Sequence, residues 1–161
     1  MKLNEKGFSL VELIIVIAIM AVLVGVVGTQ VIPYMESSRK AKDIQILSSY
    51  ATSGVMAYSL HADDVPDDLD DNKLTIDITS ASGKDVFTAS RTECQRIADE
   101  LDNLIGRDVV TDHEDVFQSK EFKPTEKITV EFDFTDRTIK VLAIDGTGFV
   151  INSNDNIYGR L

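Results

Sequence analysis

The sequence predicts an α+β fold in which a long N-terminal α-helical spine packs against a small head with an antiparallel β-sheet of about three strands. Two patterns carry this prediction. No charged residue occurs from Leu13 to Met35, as expected for a helix that is apolar on every side. Apolar and polar residues alternate from Lys127 to Phe134, which is typical of a strand with one buried face.

Composition limits the function classes before any motif is considered. The 161 residues suit one modest domain. The formal charge is −11, and Met1–Gly7 contributes +1, which leaves −12 for the remainder. Because so acidic a domain repels phosphate backbones, nucleic acid is unlikely as the main partner, although Arg91, Arg96 and Arg107 leave a local basic patch open.

The order of segments at the N-terminus differs from that of a secretory signal peptide. A short basic start ends at Gly7, the apolar run follows it, and no Ala-x-Ala-like cleavage site follows that run. The uncharged stretch of 23 residues would span roughly 35 Å as a helix, enough for a hydrocarbon core of about 30 Å. The sequence therefore predicts a retained membrane-spanning segment.

Glu12 lies just before the unbroken apolar run. An ionised carboxylate costs about 2.5–3.5 kcal/mol at the centre of a bilayer and less near its surface. Taken alone, Glu12 could reach the headgroup level and have no further role, or it could be a functional charge.

The segment Gly7-Phe8-Ser9-Leu10-Val11-Glu12 resembles the processing motif of type IV prepilins and type II secretion pseudopilins. The resemblance extends over roughly the first 30 residues. It implies that residues 1–7 are a leader, that a prepilin peptidase cuts between Gly7 and Phe8, and that the new N-terminus at Phe8 is N-methylated. It further implies a precursor in the inner or cytoplasmic membrane, a pilus assembly platform, and a homopolymer built through the N-terminal helices.

This resemblance gives Glu12 a specific physical role. Cleavage creates a cationic amine on Phe8, and methylation keeps that amine basic. In a filament core the amine of one subunit and the Glu12 carboxylate of a neighbour would neutralise each other in a low dielectric. Losing one partner of such a pair leaves a buried charge uncompensated. Phe8 and Glu12 are therefore predicted to set the register of assembly.

The spine helix is predicted to run over residues 8–60, with residues 8–35 hydrophobic. Its outer part has an apolar stripe that would face the head. The stripe consists of Ile44, Leu47, Ala51, Val55 and Tyr58. Pro33 removes a helical hydrogen bond, and Gly25 and Gly28 lower helix preference upstream. This break predicts a kink in the subunit, or alternatively a segment, Gly25–Pro33, that becomes extended in the filament.

The head is predicted to occupy residues 61–161. Apolar residues at helical spacing predict a short helix at about 91–105, with Gly106 after it. A β-meander is predicted over about 127–152, with its last strand at Phe149–Ile151, and Leu74–Ile78 could form an edge strand.

Acidic segments in the head raise the question of a metal site. Asp63, Asp64, Asp67 and Asp68, followed by Asp70 and Asp71, form a dense cluster in a loop. Such a loop could bind calcium, although charge runs are more often solvated surface. An oxygen-rich segment, residues 152–156, is a second candidate, and Asp112–Asp115 is interpreted as a solvent-facing loop.

No catalytic motif occurs, so the sequence predicts no enzyme. The leading interpretation is a pilin subunit of a surface filament for adhesion or motility. The alternatives are a type II secretion pseudopilin, a minor ligand-binding (competence) pilin, and a plain membrane anchor. Cys94 is the one cysteine, so an extracellular head would have no internal disulfide, which suggests a Gram-positive host. Cys94 itself is interpreted as a buried small hydrophobe.

Overall fold

The computed structural model describes residues 7–152 and 157–161. Helix α1 spans Leu10–Leu60, and a five-stranded antiparallel sheet follows it, which confirms the predicted α+β class. The chain divides at Ser37 and Ser38 into two compact units. By length and composition α1 could cross a membrane. The second unit contains the head together with the last part of α1.

One face of α1 packs into the head, and it differs slightly from the predicted stripe. The buried positions are Asp43, Leu47, Tyr50, Ala51, Gly54 and Ala57. The predicted positions Ile44, Val55 and Tyr58 are only partly buried, at the edge of this face. Gly54 lets the helix approach the sheet closely, because an added Cβ would lie 3.0 Å from the Ile139 side chain.

The sheet has more strands than the predicted three. Its strands are β1 (Lys73–Ala81), β2 (Lys84–Ala89), β3 (Thr125–Asp133), β4 (Thr138–Asp145) and β5 (Tyr158–Arg160). The strand order is β2-β1-β3-β4-β5. The expectation that Leu74–Ile78 forms an edge is wrong, since β1 lies between β2 and β3. Asp77 of β1 accepts hydrogen bonds from Lys127 and Thr129 of β3. Apolar and polar residues therefore alternate in this central strand as well, and the alternation does not identify an edge strand.

The meander also ends differently from the prediction. Residues Phe149–Ile151 form no strand, and Val150 makes a single bridge with Ile144. The Asn152 side chain takes the place of strand backbone: it accepts from the Ala143 amide and donates to the Val141 carbonyl, both at 2.8 Å. These side-chain hydrogen bonds satisfy backbone groups of Val141 and Ala143 in the middle of β4. Strand β5 pairs with the beginning of β4.

Two further helices belong to the head, α2 (Gln95–Ile105) and α3 (His113–Val116). The helix predicted from position 91 begins later, because Thr92–Cys94 forms a 3-10 turn. Helix α2 ends at a left-handed Gly106, whose amide donates to the Asp102 carbonyl. Cys94 is fully buried, and burial raises the pKa of its thiol, so the protonated form is favoured.

A buried carboxylate holds α1 to the loop before β3. Asp43 is fully buried and accepts hydrogen bonds from the backbone amides of Gln118, at 3.0 Å, and Ser119, at 2.8 Å. The Ser119 hydroxyl donates to the same carboxylate. Hydrogen bonds to a charged group each contribute about 1.5–3 kcal/mol net. Asp43 therefore acts as a clamp between the helix and the head.

We expect Asp43→Ala to lower the free energy of unfolding of the head by about 2–4 kcal/mol, because it leaves buried amides without an acceptor. Asp43→Asn should fall between alanine and wild type, since one acceptor oxygen remains. The measurement is denaturant unfolding of the full-length chain in detergent. Lys42→Ala, a change at the exposed neighbouring position, is the matched control and should stay within about 0.5 kcal/mol of wild type. Equal stability of the Asp43→Ala and Lys42→Ala variants would refute the clamp.

Candidate functional site

The backbone around the predicted cleavage point is not helical. Residues Gly7–Ser9 precede α1, and the Phe8 side chain is 87% exposed. A Cβ built on Gly7 meets nothing within 4 Å, and Gly7 is not in the left-handed region. A bond in exposed, non-helical backbone is open to a peptidase. Packing within the described chain gives no reason for glycine at this position.

Glu12 takes part in the N-terminal cap of α1. Its Oε2 accepts a hydrogen bond from the Ser9 amide at 2.9 Å, and the Leu13 amide donates to the Ser9 carbonyl at 3.2 Å. Ser9 at the cap and Glu12 at the third helical position match the Ser-x-x-Glu capping box. This capping role was not predicted, although the spacing of Ser9 and Glu12 is a local signal that indicates it.

The cap also fixes the distance between the carboxylate and the Phe8 nitrogen. That nitrogen is separated from the Ser9 nitrogen by three covalent bonds, so it lies within about 7 Å of Glu12 Oε2. The other carboxylate oxygen, Oε1, has no hydrogen-bond partner within residues 7–152 and 157–161. One oxygen of Glu12 therefore bonds locally, while the second makes no hydrogen bond to a described residue.

The helix surface that follows is apolar and uncovered. Every residue from Gly7 to Met35 is exposed, and apolar side chains point in all directions around the helix. Soluble monomers rarely expose continuous apolar surface on this scale. Such a helix needs lipid or other apolar helices around it.

The residues of the predicted helix break lie inside α1. Gly25, Gly28 and Pro33 all fall within Leu10–Leu60. The Thr29 hydroxyl donates to the Val26 carbonyl at 3.0 Å, a back-bond that weakens the helical ladder slightly. An added Cβ at Gly25 or Gly28 would meet nothing within 4 Å, so packing in the single subunit does not require glycine there. The break itself stays a prediction.

The acidic residues proposed for calcium lie partly against basic side chains. Asp64 is 3.6 Å from His61 and from Arg96, and Asp68 is 2.9 Å from Arg91. In the described part of the chain, no group of three or more His, Cys, Asp or Glu side chains is arranged to hold a metal ion. Asp63 and Asp67 are exposed. Calcium binding stays a hypothesis, and most of the second oxygen-rich segment, residues 153–156, lies outside the described residues.

Comparison with protein families finds a match at the N-terminus. The family model of the prokaryotic N-terminal methylation motif matches residues 2–28. The N-terminal segment is thus similar to the prokaryotic N-terminal methylation motif. The motif supports a type IV pilin-like or pseudopilin protein, as the resemblance implied. No curated protein and no solved structure shows a significant match to the chain.

The methylation motif accounts for several features of the N-terminal segment together. It covers the exposed Gly7–Phe8 bond, the capping box and most of the uncovered apolar helix. It implies processing by a prepilin peptidase and participation in pilus assembly, and it points to a structural protein. It fits a membrane-anchored precursor that later reaches a surface pilus. Nothing in the motif supports the Gram-positive host suggested by the single Cys94.

Proposed function

We propose that this chain is the structural subunit of a type IV pilus. The precursor is anchored in the membrane by α1, the peptidase cuts between Gly7 and Phe8, and Phe8 is N-methylated. The assembly platform then moves the subunit from the bilayer into a homopolymer that serves adhesion or motility. The observation that carries this proposal is the methylation motif leading directly into an apolar helix that is uncovered on every side.

The apolar helix supplies the surface through which subunits contact one another in the polymer. In a bilayer, lipid covers residues 10–35, and in a filament the same surface is covered by the helices of other subunits. Lipid and helix side chains are similarly apolar, so hydrophobicity alone gives no preferred register between helices. Gly25 and Gly28 would allow close helix–helix approach, in keeping with small residues at membrane helix interfaces.

The attraction between the Phe8 amine and the Glu12 carboxylate fixes the register between neighbouring helices. In a free mature subunit the cap at Ser9 would keep the amine within about 7 Å of its own carboxylate. In the filament, Glu12 Oε1 can accept from the amine of a neighbour while Oε2 keeps the cap. Both charges are then compensated in a dry core, whereas other registers leave them apart. Extension of Gly25–Pro33 in the filament is a further element of this proposal.

N-terminal mass spectrometry of sheared surface filaments tests the proposed function. We expect this chain to be the main component and its mature form to begin at N-methylated Phe8. A major pilin should dominate the sheared fraction, whereas a pseudopilin or a minor pilin should be a trace component or absent. Assembled material that retains residues 1–7 would contradict the proposed processing.

A further inference from the structure

The head has an apolar groove between α1 and β5, here called the Tyr158 groove. It has a volume of about 630 Å³, and its lining comes from α1 between Ser48 and Ser59 and from Tyr158–Arg160 of β5. Met56 and Tyr158 are about half exposed, at 53% and 54%. The groove is thus an open apolar surface on the described head.

A second feature is an exposed aromatic side chain on a hydrogen-bonded turn, residues 145–149, here called the Phe149 loop. Asp145 accepts hydrogen bonds from the Thr147 hydroxyl and from the Thr147 and Phe149 amides, at 2.7–2.9 Å. These bonds, the hydroxyl first, hold the pKa of the Asp145 carboxyl below its usual range. Phe149 itself is 64% exposed. Because the loop is pre-organised, docking of this ring would cost little conformational entropy.

The loop and the groove lie at opposite ends of β4. Strand β5 pairs with Thr138–Lys140, at the beginning of β4, and the Phe149 loop starts at its last residue, Asp145. At about 3.4 Å per residue the two ends are roughly 24 Å apart. The Phe149 loop and the β5 wall of the groove therefore lie at different ends of the same strand. Different patches at opposite ends allow head-to-tail contacts, which build open filaments when the rotation does not close.

We infer that the Phe149 loop of one copy occupies the Tyr158 groove of another copy in the filament. This inference rests on the proposed function. Charge complementarity supports a second copy as the occupant. Glu126 lies against the loop, since a Cβ added to Gly146 would be 2.7 Å from its carboxylate oxygens, and Arg160 lines the groove. Neither Glu126 nor Arg160 has an ion-pair partner within residues 7–152 and 157–161.

This contact is too small to hold two heads together by itself. One aromatic side chain buries about 150–250 Å², whereas stable interfaces bury about 1,200–2,000 Å². In a filament the α1 helices already hold the copies together, so the head contact becomes effectively intramolecular. Its consequences are therefore expected in filaments rather than in dilute subunits. It also offsets part of the repulsion between the acidic heads.

Charge reversal on each side of the contact tests this inference. Arg160→Glu and Glu126→Lys should each lower the yield of sheared filament by about two- to fivefold, and the double variant should recover most of that loss. Phe149→Ala should lower it by at least about tenfold. Lys84→Glu is the matched control for added negative charge, because Lys84 is exposed on β2 at the other edge of the sheet. Yields are normalised to the processed subunit in the membrane.

A cross-linking measurement on intact filaments complements these yields. The Glu126→Cys, Arg160→Cys double variant, which keeps the Phe149 ring, should give a ladder of linked subunits with a short bismaleimide, and each single variant should give none. Suppose that the wild-type chain forms filaments, that the charge-reversal variants give the wild-type yield, and that the double cysteine variant gives no ladder. This result would overturn the contact and leave the proposed function standing. Absence of filaments from the wild-type chain would overturn both.

Discussion

Replacement of Glu12 by alanine is expected to abolish most filament assembly while leaving membrane insertion and leader removal intact. The variant would bury the Phe8 amine without its counter-charge, which typically costs about 3–5 kcal/mol. Since about 1.4 kcal/mol corresponds to a tenfold change, the equilibrium constant for subunit addition should fall by at least about 100-fold. The measurement is the amount of sheared filament relative to processed subunit in the membrane.

Glu12→Gln separates the charge of Glu12 from its capping role. Glutamine can accept the same hydrogen bond from the Ser9 amide, and it occurs at this position of the capping box. It cannot neutralise the Phe8 amine. We therefore expect Glu12→Gln to assemble as poorly as Glu12→Ala. If Glu12→Gln made normal filaments, helix capping would explain the need for residue 12, and the register role would be lost.

Replacement of Gly7 by alanine is expected to block leader removal. The backbone at Gly7 is exposed, and an added Cβ meets nothing within 4 Å, so the described chain should accept the methyl group. Under the proposed processing, a requirement for glycine at this position would come from the peptidase, whose pocket would have to exclude the extra carbon. Discrimination by one such group typically amounts to about 10–200-fold in rate. The precursor-to-mature ratio, measured by mass spectrometry of membranes, reports this effect.

Gly28→Ala is the matched control for that substitution. It adds the same methyl group at another position without contacts, inside the apolar helix and far from the cleavage point. This variant should be processed at the wild-type rate. Normal processing of Gly7→Ala would show that the peptidase does not recognise the glycine, and the assignment of the cleavage site would then be in doubt.

The sequence predicted best those features that depend on neighbouring residues. The apolar character of α1 and the alternation in β3 are local patterns, and they led to the correct fold class. The methylation motif is contiguous, so it could be recognised without knowledge of the head. The capping box of Ser9 and Glu12 is equally local, and its Ser-x-x-Glu spacing is sufficient to predict it.

Features that depend on distant partners were not predictable in the same way. Asp43 interrupts an apolar face, and its amide donors lie 75 and 76 residues further along the chain. The central position of β1 is set by pairing with β3, which no pattern within residues 73–81 indicates. Asn152 replaces a predicted strand through side-chain hydrogen bonds to β4. Each of these is a tertiary interaction that overrides a local preference.

A filament map at side-chain resolution tests the central claim most directly, through the distance between the Phe8 nitrogen and the Glu12 carboxylate of an adjoining subunit. We predict a separation of about 4 Å or less, the range of an ion pair. A well-resolved map in which these groups lie beyond ion-pair distance in every pair of neighbouring subunits would contradict the proposed register.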